Sequence, residues 1–146
     1  MRFLVPYLAT HGLRPFQGFF PDLLWRVDAA AKTAYLTFDD GPTEELTYDL
    51  LDLLAQYNAQ ATHFLVGAHA EAHPERTQRM VMWDVMPGDY LNAATAARVA
   101  RFVIRHVRPG SVIVLHDNPI CEDVTLPALA TILETLTADG WSFDAL

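Results

Sequence analysis

Two adjacent carboxylates, Asp39 and Asp40, end an apolar, β-branched stretch and are followed directly by Gly41 and Pro42. Successive side chains of an extended chain point to opposite sides, so the two acids can do different jobs. One can bind a divalent cation while the other holds or deprotonates a water molecule bound to it. The alternative is a structural turn, in which an aspartate caps a backbone amide and Gly-Pro sets the backbone angles.

Histidines form a second set of candidates. His116 is followed by Asp117 and comes directly after another apolar stretch, as the carboxylate pair does. His69 and His73 have the i, i+4 spacing of two metal ligands on one helical face, although a solvent-exposed or locally packed pair is the alternative. His63 lies inside an apolar run, which favours a packed core histidine over a ligand.

These residues must be positioned by the strands and helices that alternate from about residue 32 onward. Runs of β-branched and aromatic residues that end at turn residues predict strands, and leucine stripes with helical spacing predict helices. The predicted strands cover 33–38, 61–66, 80–85, 111–115 and 141–143, and the predicted helices cover 47–57, 68–79, 93–107 and 126–138. This alternation predicts a parallel α/β sheet with helices outside it.

Parallel α/β folds gather their functional groups at the carboxyl ends of the strands. The polar residues of this sequence fall at those places: Asp39 and Asp40 after the first strand, Asp89 after the third, and His116 with Asp117 after the fourth. The clustering predicts a functional face at one edge of the sheet.

Several longer stretches carry a family resemblance, in the same order along the chain. Residues 35–42 read Tyr-Leu-Thr-Phe-Asp-Asp-Gly-Pro, 57–67 read Tyr-Asn-Ala-Gln-Ala-Thr-His-Phe-Leu-Val-Gly, and 73–75 read His-Pro-Glu. Val-Met-Trp-Asp-Val at 81–85, Gly-Asp-Tyr at 88–90 and Gly-Ser-Val-Ile-Val-Leu-His-Asp at 110–117 follow. Together they resemble the motifs of the polysaccharide deacetylase family, the family 4 carbohydrate esterases with a NodB homology domain.

The resemblance implies a (β/α) barrel that removes acetyl groups from N-acetylglucosamine polymers such as peptidoglycan or chitin. In that family a divalent metal, often zinc, activates the attacking water. By position, the resemblance makes Asp39 the general base, Asp40 a metal ligand and His116 the general acid that protonates the leaving amine. An amino-sugar polysaccharide is therefore the expected partner.

The same resemblance supplies candidates for substrate binding. It implies that Leu115 helps to line a pocket for the acetyl group, and it adds Trp83 and Asp89 as residues that contact the substrate.

The chain departs from the family pattern between Glu75 and Met80. A His-Ser/Thr-x-x-His motif that supplies two metal ligands and an Arg-x-Pro-Tyr segment that positions the base are both missing there. The acid that pairs with that arginine is replaced by Met86 or displaced to Asp84. One internal excision explains both losses and leaves Asp40 as the inherited ligand, which predicts weak metal binding. The alternative function is a catalytically inactive carbohydrate-binding or structural remnant of the family.

Length limits the fold in the same way. From residue 33 onward there is room for only about four strand-plus-helix units of roughly 30 residues each, whereas a closed barrel needs roughly 200 residues or more. We therefore expect a partial (β/α) barrel of the deacetylase type, or a small open parallel sheet with helices outside. Residues 1–32 are predicted to form an N-terminal lead-in segment and 33–146 the shortened deacetylase-like domain.

Composition narrows the partners and the class of protein. The 146 residues carry a formal net charge of -8 with scattered basic residues, which argues against a nucleic-acid partner. The densest basic stretch, between Arg98 and Arg108, has helical spacing and is interpreted as a solvent-facing helix side. A single cysteine, Cys121, excludes an internal disulfide and is interpreted as an unreactive thiol. No convincing signal peptide or membrane-spanning run is expected, and the compartment and oligomeric state stay open.

Overall fold

The computed structural model describes residues 10, 14–21, 23–43, 46–64 and 81–146. A short 3-10 helix at Arg14–Phe19 precedes the main elements. In chain order these are β1 (Thr33–Asp39), α1 (Leu46–Gln56), β2 (Ala61–Phe64), α2 (Ala96–His106), β3 (Val112–His116), α3 (Glu122–Ala138) and β4 (Ser142–Phe143).

The sheet is parallel and has β1 at its centre. β2 pairs with one edge of β1, from Leu36↔Ala61 to Asp39↔Phe64, and β3 pairs with the other edge. The two-residue strand β4 pairs with the first residues of β1, at Thr33 and Ala34. The amide of Gln60 donates to the carbonyl of Phe143 at 2.8 Å, so β4 lies next to the start of β2.

The helices pack on one face of this sheet and form the core there. Side chains alternate along a strand, so Leu36 and Phe38 of β1 and Ile113 and Leu115 of β3 share the helix side. They pack with buried residues of all three helices: Leu46, Leu50 and Leu54 of α1, Val99, Ala100 and Val103 of α2, and Ala128, Leu129, Ile132, Leu133 and Leu136 of α3. The predicted fold class, an open parallel sheet with helices outside, is confirmed.

The predicted strand at 80–85 is reduced, over its described residues, to isolated bridges. Val81 bridges to Leu24, and Val85 bridges to Ile113 beyond the outer edge of β3. The amides of Asp84 and Val85 both donate to the carbonyl of Val112, at 3.0 and 3.1 Å. Two donors on one acceptor interrupt the regular ladder, so the strand expected here was wrong in extent.

The helix boundaries differ from the expected ones at two places. The second described helix begins at Ala96 rather than at residue 93. The last helix begins four residues before the expected 126, with Glu122 and Asp123 in its first turn. Acidic side chains stabilise the amino end of a helix, and Pro127 lies inside the helix rather than at its start. The expected helix at 68–79 lies outside the described residues.

The described part of the lead-in contacts the sheet domain. Arg26 forms an antiparallel bridge with Ser111, and its guanidinium donates to the carbonyl of Pro109 at 2.8 Å. Gly110 has a positive φ of 84°, and a side chain there would collide with the carbonyl of Val27. Arg26 and Val27 both belong to the segment before residue 33. The boundary between a lead-in at 1–32 and a domain at 33–146 stays a prediction. No helix in the described ranges is long and apolar enough to cross a membrane.

Candidate active site

Asp39 and His116 face each other at the carboxyl ends of β1 and β3. They are direct partners in the parallel register, and the next aligned pair on the same face is Thr37 with Val114. Neighbouring strands are about 4.8 Å apart, so a carboxylate and an imidazole meet on one side of the sheet. The sequence prediction that these two residues share a functional face is therefore consistent with their position.

The turn after Asp39 is held by Asp117. The backbone amide of Asp117 donates to the carbonyl of Asp39 at 2.8 Å. Its fully buried carboxylate accepts hydrogen bonds from the hydroxyls of Thr43, at 2.7 Å, and Thr47. Gly41 packs so closely that an added Cβ would collide with this carboxylate. Asp117 thus joins the end of β3 to the turn that carries Asp39 and to the start of α1.

Asp40 occupies a different position in the same turn. It is exposed, has a positive φ of 75°, and accepts a long hydrogen bond of 3.4 Å from the side-chain amide of Asn118. Its carboxylate is therefore available to solvent, whereas the carboxyl group of Asp39 is half-buried.

Asp89 fixes the orientation of the His116 ring through hydrogen bonds. One carboxylate oxygen of Asp89 accepts from Nδ1 of His116 at 2.9 Å, and the other accepts from the His116 amide and the Thr125 hydroxyl, both at 2.8 Å. A carboxylate can only accept, so Nδ1 carries the proton and Nε2 is left for chemistry at the open side. The ring of Tyr90 lies edge-on to the imidazole at 4.7 Å.

This arrangement changes the role expected for Asp89. Asp89 was expected to contact the substrate, but it is only 1% exposed and both of its carboxylate oxygens accept hydrogen bonds from the protein. Asp89 is a positioning residue for His116. No local sequence signal distinguishes the two roles, because its partners lie 27 and 36 residues away.

The electrostatics of the pair suit acid–base chemistry. Burial raises the pKa of Asp39, and the charges of Asp40 and Asp89 raise it further, while His116 opposes them. For His116, burial disfavours the charged ring, but the hydrogen bond and charge of Asp89, together with Asp39 and Asp40, raise its pKa above the ordinary value. Asp39 becomes a stronger base, and His116 keeps its proton to higher pH.

A cleft of about 160 Å³ opens beside Asp39 on this face of the sheet. Its lining comprises Thr37, Asp39, Phe64, Val81, Met82, Trp83 and Val114. The expected substrate-binding residue Trp83 is therefore at the cleft. Leu115 is not, because it is fully buried in the core on the helix side, and alternation puts Val114 in the position that faces the cleft.

The described residues do not fit a zinc cage. In the described ranges, no three His, Cys, Asp or Glu side chains are grouped so that they could hold a metal ion. Catalytic zinc normally has three protein ligands, and only Asp40 is an exposed carboxylate at this turn. His69 and His73, the alternative ligands considered from the sequence, lie outside the described residues.

Asp84, the candidate for the displaced acid that pairs with the missing arginine, lies at the other end of β3. Its fully buried carboxylate accepts from Arg108, at 2.7 and 3.2 Å, and from the Ser111 hydroxyl at 2.6 Å. His116 is four residues beyond Val112, the first residue of β3. At about 3.3 Å per residue, the two ends of this strand are roughly 13 Å apart. Asp84 therefore stabilises the start of β3 and does not reach Asp39.

His63 and Cys121 have structural surroundings. The imidazole of His63 stacks on Phe38 with 5.1 Å between ring centroids, as expected for a packed histidine. The Cys121 thiol is buried, and burial raises its pKa. It donates to the carbonyls of Asn118 and His116, at 3.2 and 3.5 Å, which agrees with an unreactive thiol.

Comparison with known proteins matches residues 26–86 to the polysaccharide deacetylase family model. A chitooligosaccharide deacetylase of Sinorhizobium fredii is 45% identical over 56 residues, which are 38% of this chain and 26% of that protein. The chain spans about a quarter of the length of the chitooligosaccharide deacetylases it matches.

A longer alignment relates the chain to a peptidoglycan-N-acetylglucosamine deacetylase of Bacillus cereus, at 22% identity over 188 residues. It includes 82% of this chain and 88% of that protein. An alignment of 188 positions that includes 82% of the 146-residue chain requires gaps within this chain, so the chain is shorter than that relative over the matched region.

Solved structures share the fold. The Bc1960 peptidoglycan N-acetylglucosamine deacetylase superposes with a TM-score of 0.75 at 22% identity, covering 90% of this chain and 94% of that one. BA3943 of Bacillus anthracis, described as a CE4 family pseudoenzyme, superposes with a TM-score of 0.69 at 16% identity. The match covers 86% of this chain and 68% of that one. A family 4 acetyl xylan esterase from Clostridium thermocellum, in complex with a cobalt ion, superposes with a TM-score of 0.62 at 24% identity. The match covers 78% of this chain and 88% of that one.

Proposed function

We propose that this chain is a shortened member of the polysaccharide deacetylase family, and that it hydrolyses the N-acetyl amide bond of N-acetylglucosamine-containing polymers such as peptidoglycan or chitin. The observation that carries the proposal is the pairing of Asp39 with an Asp89-supported His116 at the carboxyl ends of neighbouring strands. The names of the matching relatives, chitooligosaccharide and peptidoglycan deacetylases, support the same substrate class.

The two residues divide the proton transfers between them. Asp39 accepts a proton from water while the water oxygen bonds to the acetyl carbonyl carbon. His116 then donates its Nε2 proton to the amide nitrogen as the carbon–nitrogen bond breaks, so acetate and a free amino sugar leave. The raised pKa of Asp39 favours the first transfer, and the raised pKa of His116 keeps the second proton available.

The cleft beside Asp39 provides the apolar side of the site. Phe64, Trp83 and Val114 contribute aromatic and aliphatic surface to its lining. We assign the contact with the acetyl methyl group to this surface, with Val114 in place of the Leu115 expected from the sequence. Trp83 keeps its expected role in substrate binding.

A divalent ion such as zinc is the cofactor of this chemistry in the family, and Asp40 is the residue proposed to bind it here. The described residues do not complete a three-ligand site, so no step is assigned to the ion. A single exposed carboxylate binds a divalent ion weakly.

The direct test is release of free amine from N-acetylglucosamine oligomers, with and without added zinc or cobalt. We expect slow turnover that is lost in Asp39→Asn and in His116→Gln. Asp49→Asn, which changes an exposed carboxylate on α1, is the matched control and should keep the wild-type rate. No free amine at high enzyme concentration would show that the deacetylase proposal is wrong.

A non-catalytic carbohydrate-binding module is the second candidate. The observation in its favour is that the described ranges contain no three-residue metal group. Binding of an amino-sugar polymer that is unaffected by a chelator and gives no turnover would support it. Failure to bind any such polymer in calorimetry would exclude it.

A further inference from the structure

The outer surface of the helical layer carries two grooves of opposite charge. α3 lies between α1 and α2, and a groove runs along each of its sides. The groove between α1 and α3, about 450 Å³, contains Asp49 and Asp52 and is called the acidic groove. The groove between α2 and α3, about 530 Å³, contains Arg101 and Arg105 and is called the basic groove. Pro127 of α3 lines both grooves.

The charges follow from the sequences of the two outer helices. α1 reads LTYDLLDLLAQ, with two aspartates and no basic residue, and α2 reads AARVARFVIRH, with three arginines and no acidic residue. Asp49, Asp52, Arg101 and Arg105 are all exposed. Within the described part of the chain, none of these four side chains makes an ion pair.

The floors of both grooves are apolar. Leu53 and Leu126 line the acidic groove, and Ala100 and Ile104 line the basic groove. The exposed Pro127 forms a ridge between them, with Ala130 on the acidic side and Thr131 on the basic side. The helical layer therefore presents two grooves of opposite charge on either side of one ridge.

We propose that this helical face is a self-complementary surface on which a second copy of the chain docks. A twofold axis parallel to α3 sets α1 of one copy against α2 of the other. The acidic groove of each copy then faces the basic groove of its partner, and every contact occurs twice, as in an isologous dimer. A ligand of uniform charge would match only one of the two grooves, whereas a second copy matches both.

The dimer is expected to be weak. Each copy carries a net charge of -8, so the two copies repel each other overall. Exposed ion pairs contribute little individually, and the apolar ridge is narrow. A reversible dimer that forms with rising concentration is the expected state. This inference is independent of the proposed catalysis, because all four charged residues lie on the helix side of the sheet, away from Asp39.

The test is sedimentation velocity of the full chain over a range of concentrations. The wild type should show a concentration-dependent dimer. Arg101→Glu with Arg105→Glu makes both grooves acidic, and Asp49→Lys with Asp52→Lys makes both basic, so each double variant should dimerise about tenfold or more weakly. An equimolar mixture of the two variants should form a heterodimer, because an all-acidic face then meets an all-basic face.

The control is Asp28→Lys with Asp144→Lys, which changes the net charge as much as the Asp49 and Asp52 pair does but at exposed positions outside the grooves. It should not weaken the dimer. Circular dichroism of each variant confirms that it is folded before its assembly is measured. A wild-type monomer at every concentration, a dimer insensitive to both double variants, or a mixture that stays monomeric would each overturn the proposal.

Discussion

The imidazole of His116 is held by a carboxylate that is itself removed from solvent. Asp89 accepts three hydrogen bonds, two from His116 and one from Thr125, and it is 1% exposed. The negative charge of the buried Asp89 carboxylate favours the protonated, positively charged form of the His116 ring. The protonation of His116 therefore depends on Asp89 more than on any residue adjacent to it in sequence.

We predict that Asp89→Asn lowers the pKa of His116. Because folding raises that pKa, the stabilisation from the pair is fully present below the unfolded-state pKa and is lost as the pH rises through the folded-state pKa. The variant should therefore lose stability mainly under acidic conditions, near pH 5, and less near pH 9. NMR titration of the His116 ring and urea unfolding at both pH values measure this. Asp49→Asn should leave the His116 titration unchanged, and an unchanged titration in Asp89→Asn would contradict the prediction.

Single residues differ in how far the sequence predicted them. Asp39 and His116 could be located because each ends an apolar strand, and parallel strands end at one edge. Strict alternation from His116 puts Val114, rather than the expected Leu115, on the face of the sheet that lines the cleft. The hydrogen bonds from the hydroxyls of Thr43 and Thr47 to Asp117 could not be predicted from the sequence. The two threonines are at least 70 residues away from Asp117 and have no distinctive pattern.

Among the elements, the turn that joins β1 to α1 depends on the absence of a side chain at Gly41. We predict that Gly41→Ala destabilises the fold by about 1–3 kcal/mol, because the added methyl group must displace the buried Asp117 carboxylate. Urea denaturation measures the loss. Gly18→Ala is the matched control, since nothing lies within 4 Å of its Cβ position, and it should change stability far less. Equal losses in both variants would contradict the argument.

The start of β3 depends on the ion pair between Asp84 and Arg108. Asp84 is fully buried and the Arg108 side chain is 40% exposed, so removing the arginine leaves a buried carboxylate without its charge partner. We predict that Arg108→Met costs about 2–4 kcal/mol in the free energy of unfolding. Arg101→Met, at an exposed position of α2, should cost less than about 0.5 kcal/mol. A loss of similar size in both variants would mean that burial of Asp84 is not the cause.

The strands and helices could be predicted from the sequence wherever the spacing of apolar residues alone determines the secondary structure. β1, α1 and β3 follow their apolar patterns closely, because each buries one regular stripe or face. The segment around Asp84 was not predictable in the same way, because the doubled hydrogen bond at Val112 depends on contacts with Arg108 and Ser111 rather than on local propensity. The start of α3 was predicted at residue 126, four residues after its observed start at Glu122.

At the scale of the whole molecule, the core connects β1 and β3 to all three helices. One cluster of buried side chains runs from Ala34 to Phe143 and includes residues of α1, α2 and α3. A single core of this kind unfolds as one unit, so the shortened chain is expected to be an independently folded domain rather than an unstable fragment. The fold class could be predicted from strand–helix alternation and length, whereas the one-sided packing of the helices depends on contacts that only the structure provides.

We predict that thermal and urea unfolding each show one cooperative transition. Leu129→Ala should lower the free energy of unfolding by about 3 kcal/mol, because it leaves a cavity in the fully buried centre of α3. Leu51→Ala is the matched control: this leucine on α1 is 46% exposed, so its loss should cost about 1 kcal/mol or less. Both variants should keep the single transition, as monitored by far-UV and near-UV circular dichroism. Non-coincident transitions in the wild type, or equal losses in the two variants, would show that the helical layer and the sheet do not share one core.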